Sequence, residues 1–392
     1  MIRRPSKHTA HRRQGSMVPA IAIALLVVGG AIALVFDRLW QDSAFLELRA
    51  AGEAAALAAA NRLADDSTLR KVPDWETICQ TARTAASDIA ARNLVGGQPV
   101  KLWADEEGDI ELGREIEDAT GGKVFVRTSE RPDCVAVHIE QGRGPSNPVG
   151  LLVRDLTGAG RLLRTTVRAK VDHHVAGLRP YEGVNAPMLP IAIAAVGPTG
   201  WDAAVTAGAG LDTSSVPYGT ATVTPIPDGV SEVTVWSAPI EADPEQQMLA
   251  TVHVFDIGNG LSGRKLADQC RDGWSADDLR KHGGELWLDG KPLTLKSTPK
   301  IPNEVTTELR SLIGQARMCL LYDAVTPGSS PDQWNLICSR LVAVRILAIQ
   351  QSPDGMVVLQ LQPAVVVTRT AIVDDEMPVL WNPYVCKALL TN

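Results

Sequence analysis

Aromatic residues are scarce: they make up 4% of the 392 residues. A core must therefore be built mainly from Val, Leu, Ile and Ala. Paired-cysteine motifs are missing. Cys79, Cys134, Cys270, Cys319, Cys338 and Cys386 lie far apart, and without a C-x-x-C string nothing supports a zinc ribbon or a dithiol redox centre. Basic residues are in deficit, 38 Lys and Arg against 45 Asp and Glu, for a net charge of −7. Their one cluster, Arg3, Arg4, Lys7, Arg12 and Arg13, falls in an N-terminal leader that holds no acid. The rest of the chain is more acidic still. Such a body offers no electrostatic footprint for nucleic acid, which is excluded as a partner. A second long apolar run is also absent. The apolar segment from Ile191 to Pro198 is far too short to cross a bilayer and reads as a buried strand.

One long apolar run is present. Met17 to Phe36 carries no charge and matches the ~20 helical residues that a hydrocarbon core about 30 Å thick requires. Pro19 falls in the first turn, where its missing N–H has no helical partner to lose. A cleaved export signal would have an apolar region of only about 7–15 residues and then a small-x-small site. Asp37, Arg38, Leu39 and Trp40 supply no such site, so the run reads as an uncleaved membrane span. The basic leader, residues 1–16, precedes it. By the positive-inside rule the N-terminus stays cytoplasmic and everything from about Asp37 is exported. The expected location is the inner (cytoplasmic) membrane, with a periplasmic or other extracytoplasmic body.

Helical character continues past the span, over residues 37–66. The stretch is rich in Ala, the strongest helix former. Leu46, Ala50, Glu53, Leu57, Ala60 and Ala64 recur at alternating spacings of four and three, close to a heptad seam. Ala50, Glu53, Leu57, Ala60 and Ala64 are therefore candidate contacts for a partner helix, with Glu53 fixing register. The alternative is that this helix packs on its own domain and Glu53 reaches to water. A second amphipathic helix is expected over about Asp74 to Asn93, closed by Gly96 and Gly97.

Beyond it the pattern is short and strand-like, giving an α+β chain that is mainly β after its helices. Strands are expected at Val100–Trp103, Lys123–Thr128 and Val135–Glu140, and one or two within Arg161–Val175. A Pro-rich joint near Pro180 to Pro198 divides a first exported domain, 74–178, from a second, 179–392. Strand-like segments follow from Thr220 to Ile257, and three more close the chain after Met318. Short helices are expected at Ser275–His282 and Glu304–Ile313. The even cysteine number in an exported body permits disulfides. Cys319 and Cys338 flank a hairpin-like unit, and Cys79 could reach Cys134.

Candidate chemistry is thin. Asp172, His173 and His174 form the densest cluster of possible ligands, but adjacent strand residues point to opposite faces, so no metal is expected. His282-Gly283-Gly284 is similar to an esterase oxyanion loop, yet Gly260-Leu261-Ser262-Gly263 falls one residue short of a nucleophile elbow. Gly258, Gly260 and Gly263 have dinucleotide-fingerprint spacing without a βαβ context, and a turn is the preferred reading. No catalytic residue, cofactor or metal is assigned.

The N-terminal third resembles the Flp (Tad) pilus-assembly TadG-like family. The resemblance rests on the Arg12–Ser16 string RRQGS, the span to Phe36, the acid Asp37 and the Ala51–Ala60 string AGEAAALAAA. Asp109–Arg114, the strand pair around Val135 and Val153, and the Val- and Thr-rich stretch Thr165–Val171 are similar to that family's middle region. Ala186–Ile193 and Ile313–Val325 resemble a version lacking the von Willebrand A adhesion domain. Asp212-Thr213-Ser214-Ser215-Val216 departs from that domain's D-x-S-x-S metal string, so no metal carries over. Ala20 stands where related pseudopilins have Glu, so prepilin-type processing does not carry over either. The resemblance implies a non-catalytic component of a pilus-assembly or secretion apparatus, with other pilus-assembly or envelope proteins as partners. The alternatives are a membrane-tethered surface module and an exported hydrolase using His173 or His282.

Overall fold

The computed structural model describes residues 17–118, 121–141, 162–288, 291–330, 332–374 and 381–391. One continuous helix, α1 (Val18–Leu63), opens it. At 1.5 Å per residue it is about 70 Å long. Asp65 and Asp66 then turn the chain through a short 3₁₀ segment, and the Asp74 carboxylate accepts the Thr77 N–H to start α2 (Trp75–Arg92). This helix matches the expected 74–93 closely. It runs back along α1 and leads into a tight hairpin, β1 (Leu94–Val95) and β2 (Gln98–Pro99). Gly96 and Gly97 form its turn at φ of 56° and 78°, as a two-residue hairpin demands. The expected strand at Val100–Trp103 does not form: Val100 and Leu102 are buried in an extended segment without a ladder.

Strands β3 (Ile110–Glu117), β4 (Lys123–Arg127), β5 (Cys134–Gln141), β6 (Leu163–Asp172) and β7 (Val175–Leu178) follow. After them come β8 (Met188–Ala194), β9 (Val233–Trp236), the short α3 (Pro244–Met248) and β10 (Val252–Asp256). Next are α4 (Gly263–Asp272), β11 (Leu286–Trp287), β12 (Leu293–Thr298) and α5 (Asn303–Ser311). The chain ends with β13 (Ala316–Pro327), β14 (Trp334–Gln351), β15 (Val357–Pro363), β16 (Val366–Val367), β17 (Ala371–Val373) and β18 (Val385–Thr391). An apolar helix followed by a strand-rich α+β body is what the sequence led us to expect. Val153, named above for a strand, lies outside the described residues.

Two main sheets organise the body. The first has six strands in the order β16-β18-β6-β5-β3-β4. Its inner face is covered by α2 and the second half of α1, and their shared core is built from Ala, Val, Ile and Leu. The second has seven strands in the order β12-β10-β8-β13-β14-β15-β9, and β12 also pairs with the start of β14, closing five strands into a ring. Both faces of this sheet are buried. Met188, Leu320 and Leu336 belong to one core, while Leu189, Cys319 and Leu321 join α4 and α5 in the other.

The expected boundary between residues 178 and 179 does not separate the two sheets. Strand β18 returns to pair antiparallel with β6, Ala388 opposite Val171, so strands from before residue 178 and from after residue 365 share the first sheet. Between the sheets, the Arg345 guanidinium contacts Asp66 Oδ2 at 2.5 Å while Asp66 Oδ1 accepts the Val365 N–H at 2.6 Å. Burial pushes the Asp66 carboxyl up, and Arg345 and the Val365 N–H pull it the other way. The smaller departures are local. Thr220–Ile226 forms no strand beyond a Ser215–Thr224 bridge. Within Ser275–His282 only Arg280–His282 is helical. Helix α4 was not anticipated, and Ser262, which read as part of a turn, is its N-cap.

Candidate functional site

The feature that sets this molecule apart is α1, because its two halves meet different surroundings. From Met17 to Phe36 no residue is buried; Leu25 is 68% exposed and Leu26 76%. This segment is long and apolar enough to cross a membrane. Burial starts at Ala44 and continues through Leu48, Ala51, Gly52, Ala55, Ala56, Ala59, Ala60 and Leu63. Small side chains there let the helix lie close to the sheet. A Cβ added at Gly52 would come within 3.1 Å of Val167 Cγ2, in β6.

The five residues proposed for a partner helix are split by this arrangement. Ala60 and Ala64 are buried in the core that α1 shares with α2 and the first sheet, so they face this chain and not another. Leu57 is half-buried against the same core. Glu53 is half-buried and accepts a 2.9 Å hydrogen bond from Arg49 Nε, one turn earlier. Ala50 is exposed, next to the exposed Leu46. The heptad-like spacing is present, but the buried stripe is rotated from it, because the helix packs on both α2 and the first sheet and not on one partner helix.

The other candidate residues are engaged in structure. His173 Nδ1 lies 2.8 Å from the Asn382 carbonyl oxygen and its ring packs on Trp381, and burial lowers its pKa. His174 turns instead to Asp172, which also pairs with Lys170. No group of three or more His, Cys, Asp or Glu suited to a metal occurs among the described residues. His282 ends a 3₁₀ turn whose cap, Gly283, is left-handed. Asp256 Oδ1 accepts the N–H groups of Gly258 and Gly260, which makes that glycine string a turn into α4. Its strand, β10, pairs antiparallel with both neighbours, unlike a dinucleotide-binding unit. Asp212 accepts the N–H groups of Asp228 and Gly229, and Thr213 binds the Glu232 carboxylate.

All six cysteines are free and buried. Neither of the two pairings that the sequence permits is present. Cys319 and Cys338 belong to opposite cores of the second sheet. Cys79 sits in the helix-side core with Val135 and Val137, whereas Cys134 alternates to the other side of β5. Burial pushes the Cys134, Cys270, Cys338 and Cys386 thiols up to about 12.

Sequence reading missed the Asp66–Arg345 link, since those residues are far apart in the chain. It also missed the placement of the β1–β2 hairpin against α1: the Gly96 N–H donates to Glu47 Oε2 at 2.8 Å, beside Trp40. The one signal for that hairpin was its Gly-Gly pair. No family model matches this chain, and no curated protein and no solved structure matches it.

Proposed function

We propose that the chain is a single-pass, non-catalytic membrane protein that holds its two-sheet body at the outer surface of the inner membrane. One observation carries this reading: within one unbroken helix, apolar side chains stay outside any core up to Phe36 and become core from Ala44. In water, an exposed apolar cylinder of that length would be a strong liability; in a bilayer it is the stable state. The leader, with Arg3, Arg4, Lys7, Arg12 and Arg13, keeps the N-terminus cytoplasmic.

The body's role in this proposal is contact within a Tad/Flp-like pilus-assembly or secretion apparatus. That part rests on the N-terminal resemblance, the RRQGS leader and the AGEAAALAAA helix. Leu46 and Ala50, on the side of α1 that the body leaves open, are the residues through which a neighbouring helix would pack. Cysteines placed at Leu46 and Ala50 test this in native membranes. Cross-links to another pilus-assembly protein support the reading. Cross-links to none, with the protein displayed alone, favour an isolated envelope module. Hydrolytic activity that disappears with His282→Ala would overturn the non-catalytic assignment.

A further inference from the structure

We infer that the β1–β2 hairpin and Trp40 form a foot that rests on the headgroup layer of the membrane that α1 crosses. The inference depends on the membrane reading above and adds a second contact with lipid. Its geometry follows from α1 and α2 running antiparallel. Helix α2 descends toward the span and ends at Arg92, and the hairpin at its end is tied to Glu47 and touches Trp40. Trp40 lies four residues past Phe36, about 6 Å along the axis, within the interfacial zone where Trp is favoured. Glu47 lies about 16 Å past Phe36, and its side chain reaches to Gly96.

The surface around Trp40 and the hairpin suits a bilayer. Leu39, Trp40 and Leu94 are exposed apolar groups. Arg92 and Lys101 are exposed cations flanking the hairpin. Two of the nearby acids are already engaged, Asp42 by Arg38 and Glu47 by the Gly96 N–H. Apolar groups beside exposed cations are the composition of an interfacial contact. With a rigid hairpin on the membrane, the body cannot tilt freely about α1.

The test uses the full chain in liposomes of phosphatidylcholine and phosphatidylglycerol. Because the six native thiols are buried, an environment-sensitive fluorophore can be placed on single added cysteines. Leu94→Cys reports the foot, Leu26→Cys the span, and Tyr218→Cys the surface beside the far end of α1, where Tyr218 packs on Arg62. A nitroxide quencher on the lipid headgroup should quench the Leu94 probe at least about threefold more than the Tyr218 probe. Equal, weak quenching at Leu94 and Tyr218, with strong acyl-chain quenching at Leu26, overturns the foot and leaves the membrane helix intact. No quenching at Leu26 overturns both.

Discussion

The two halves of α1 are one helix in different surroundings. Residues 18–43 are rich in Ile, Leu and Val and expose them on all sides; residues 44–63 are rich in Ala and bury one face. Bulky apolar groups gain most when a whole cylinder leaves water, whereas small ones gain by letting a sheet approach closely. The same contrast separates what stays outside the fold from what belongs to it.

The largest effect should come from cutting the chain at either side of that divide. A chain beginning near Ser43 should fold and remain soluble, because the buried face of α1 is kept. A chain beginning at Lys71 looks self-sufficient by sequence, yet it loses the Ala44–Ala64 face and uncovers β5 and β6. It should aggregate or fail to unfold cooperatively. If both fold equally, α1 is not part of the core.

A charge placed in each half sharpens the contrast. Leu26→Arg, at the middle of the exposed run, should cost roughly 2.5–3.5 kcal/mol of insertion and raise the fraction extracted by carbonate. Leu46→Arg, also exposed but beyond the run, should leave extraction unchanged.

The folded body has a pH signature of its own. Burial lowers the His253 pKa from 6.5 to about 3, with Nδ1 3.2 Å from Ser297 Oγ. Below pH 6.5 the unfolded chain gains a proton that the folded chain refuses, so stability falls as pH drops through that window. The slope is at most about 1.4 kcal/mol per pH unit. Thermal melts of the body should show this slope, and His253→Asn should flatten it. Parallel profiles for the two proteins would mean that His253 titrates normally.

The smallest contrast lies within the core half. Ala56→Leu forces bulk into a fully buried position and should cost ~1–3 kcal/mol of body stability. Ala50→Leu, on the open side, should change it by less than about 0.5 kcal/mol. A partner helix would reverse their order for assembly, because only Ala50 can meet it.

Local patterns were legible where a residue's role depends on its neighbours in sequence. The long apolar run, α2, and β4, β5 and β8 follow from periodicity and composition. Long-range placement was not legible. Nothing in Val385–Thr391 announces that it pairs with β6, because strand pairing leaves no local trace in one sequence. The stripe on α1 shows the middle case. Ala recurs so often between Ala50 and Ala64 that several faces are equally small, and only the sheet beneath decides which is buried.

The most direct test of this division is topology in the cell. Spheroplasts carrying the full chain with an epitope after Asn392 are treated with protease, and their membranes are then washed with carbonate. The account predicts that the epitope is lost from intact spheroplasts while the α1-bearing fragment stays in the membrane pellet. An epitope that survives until lysis, or a chain that carbonate releases, would contradict it.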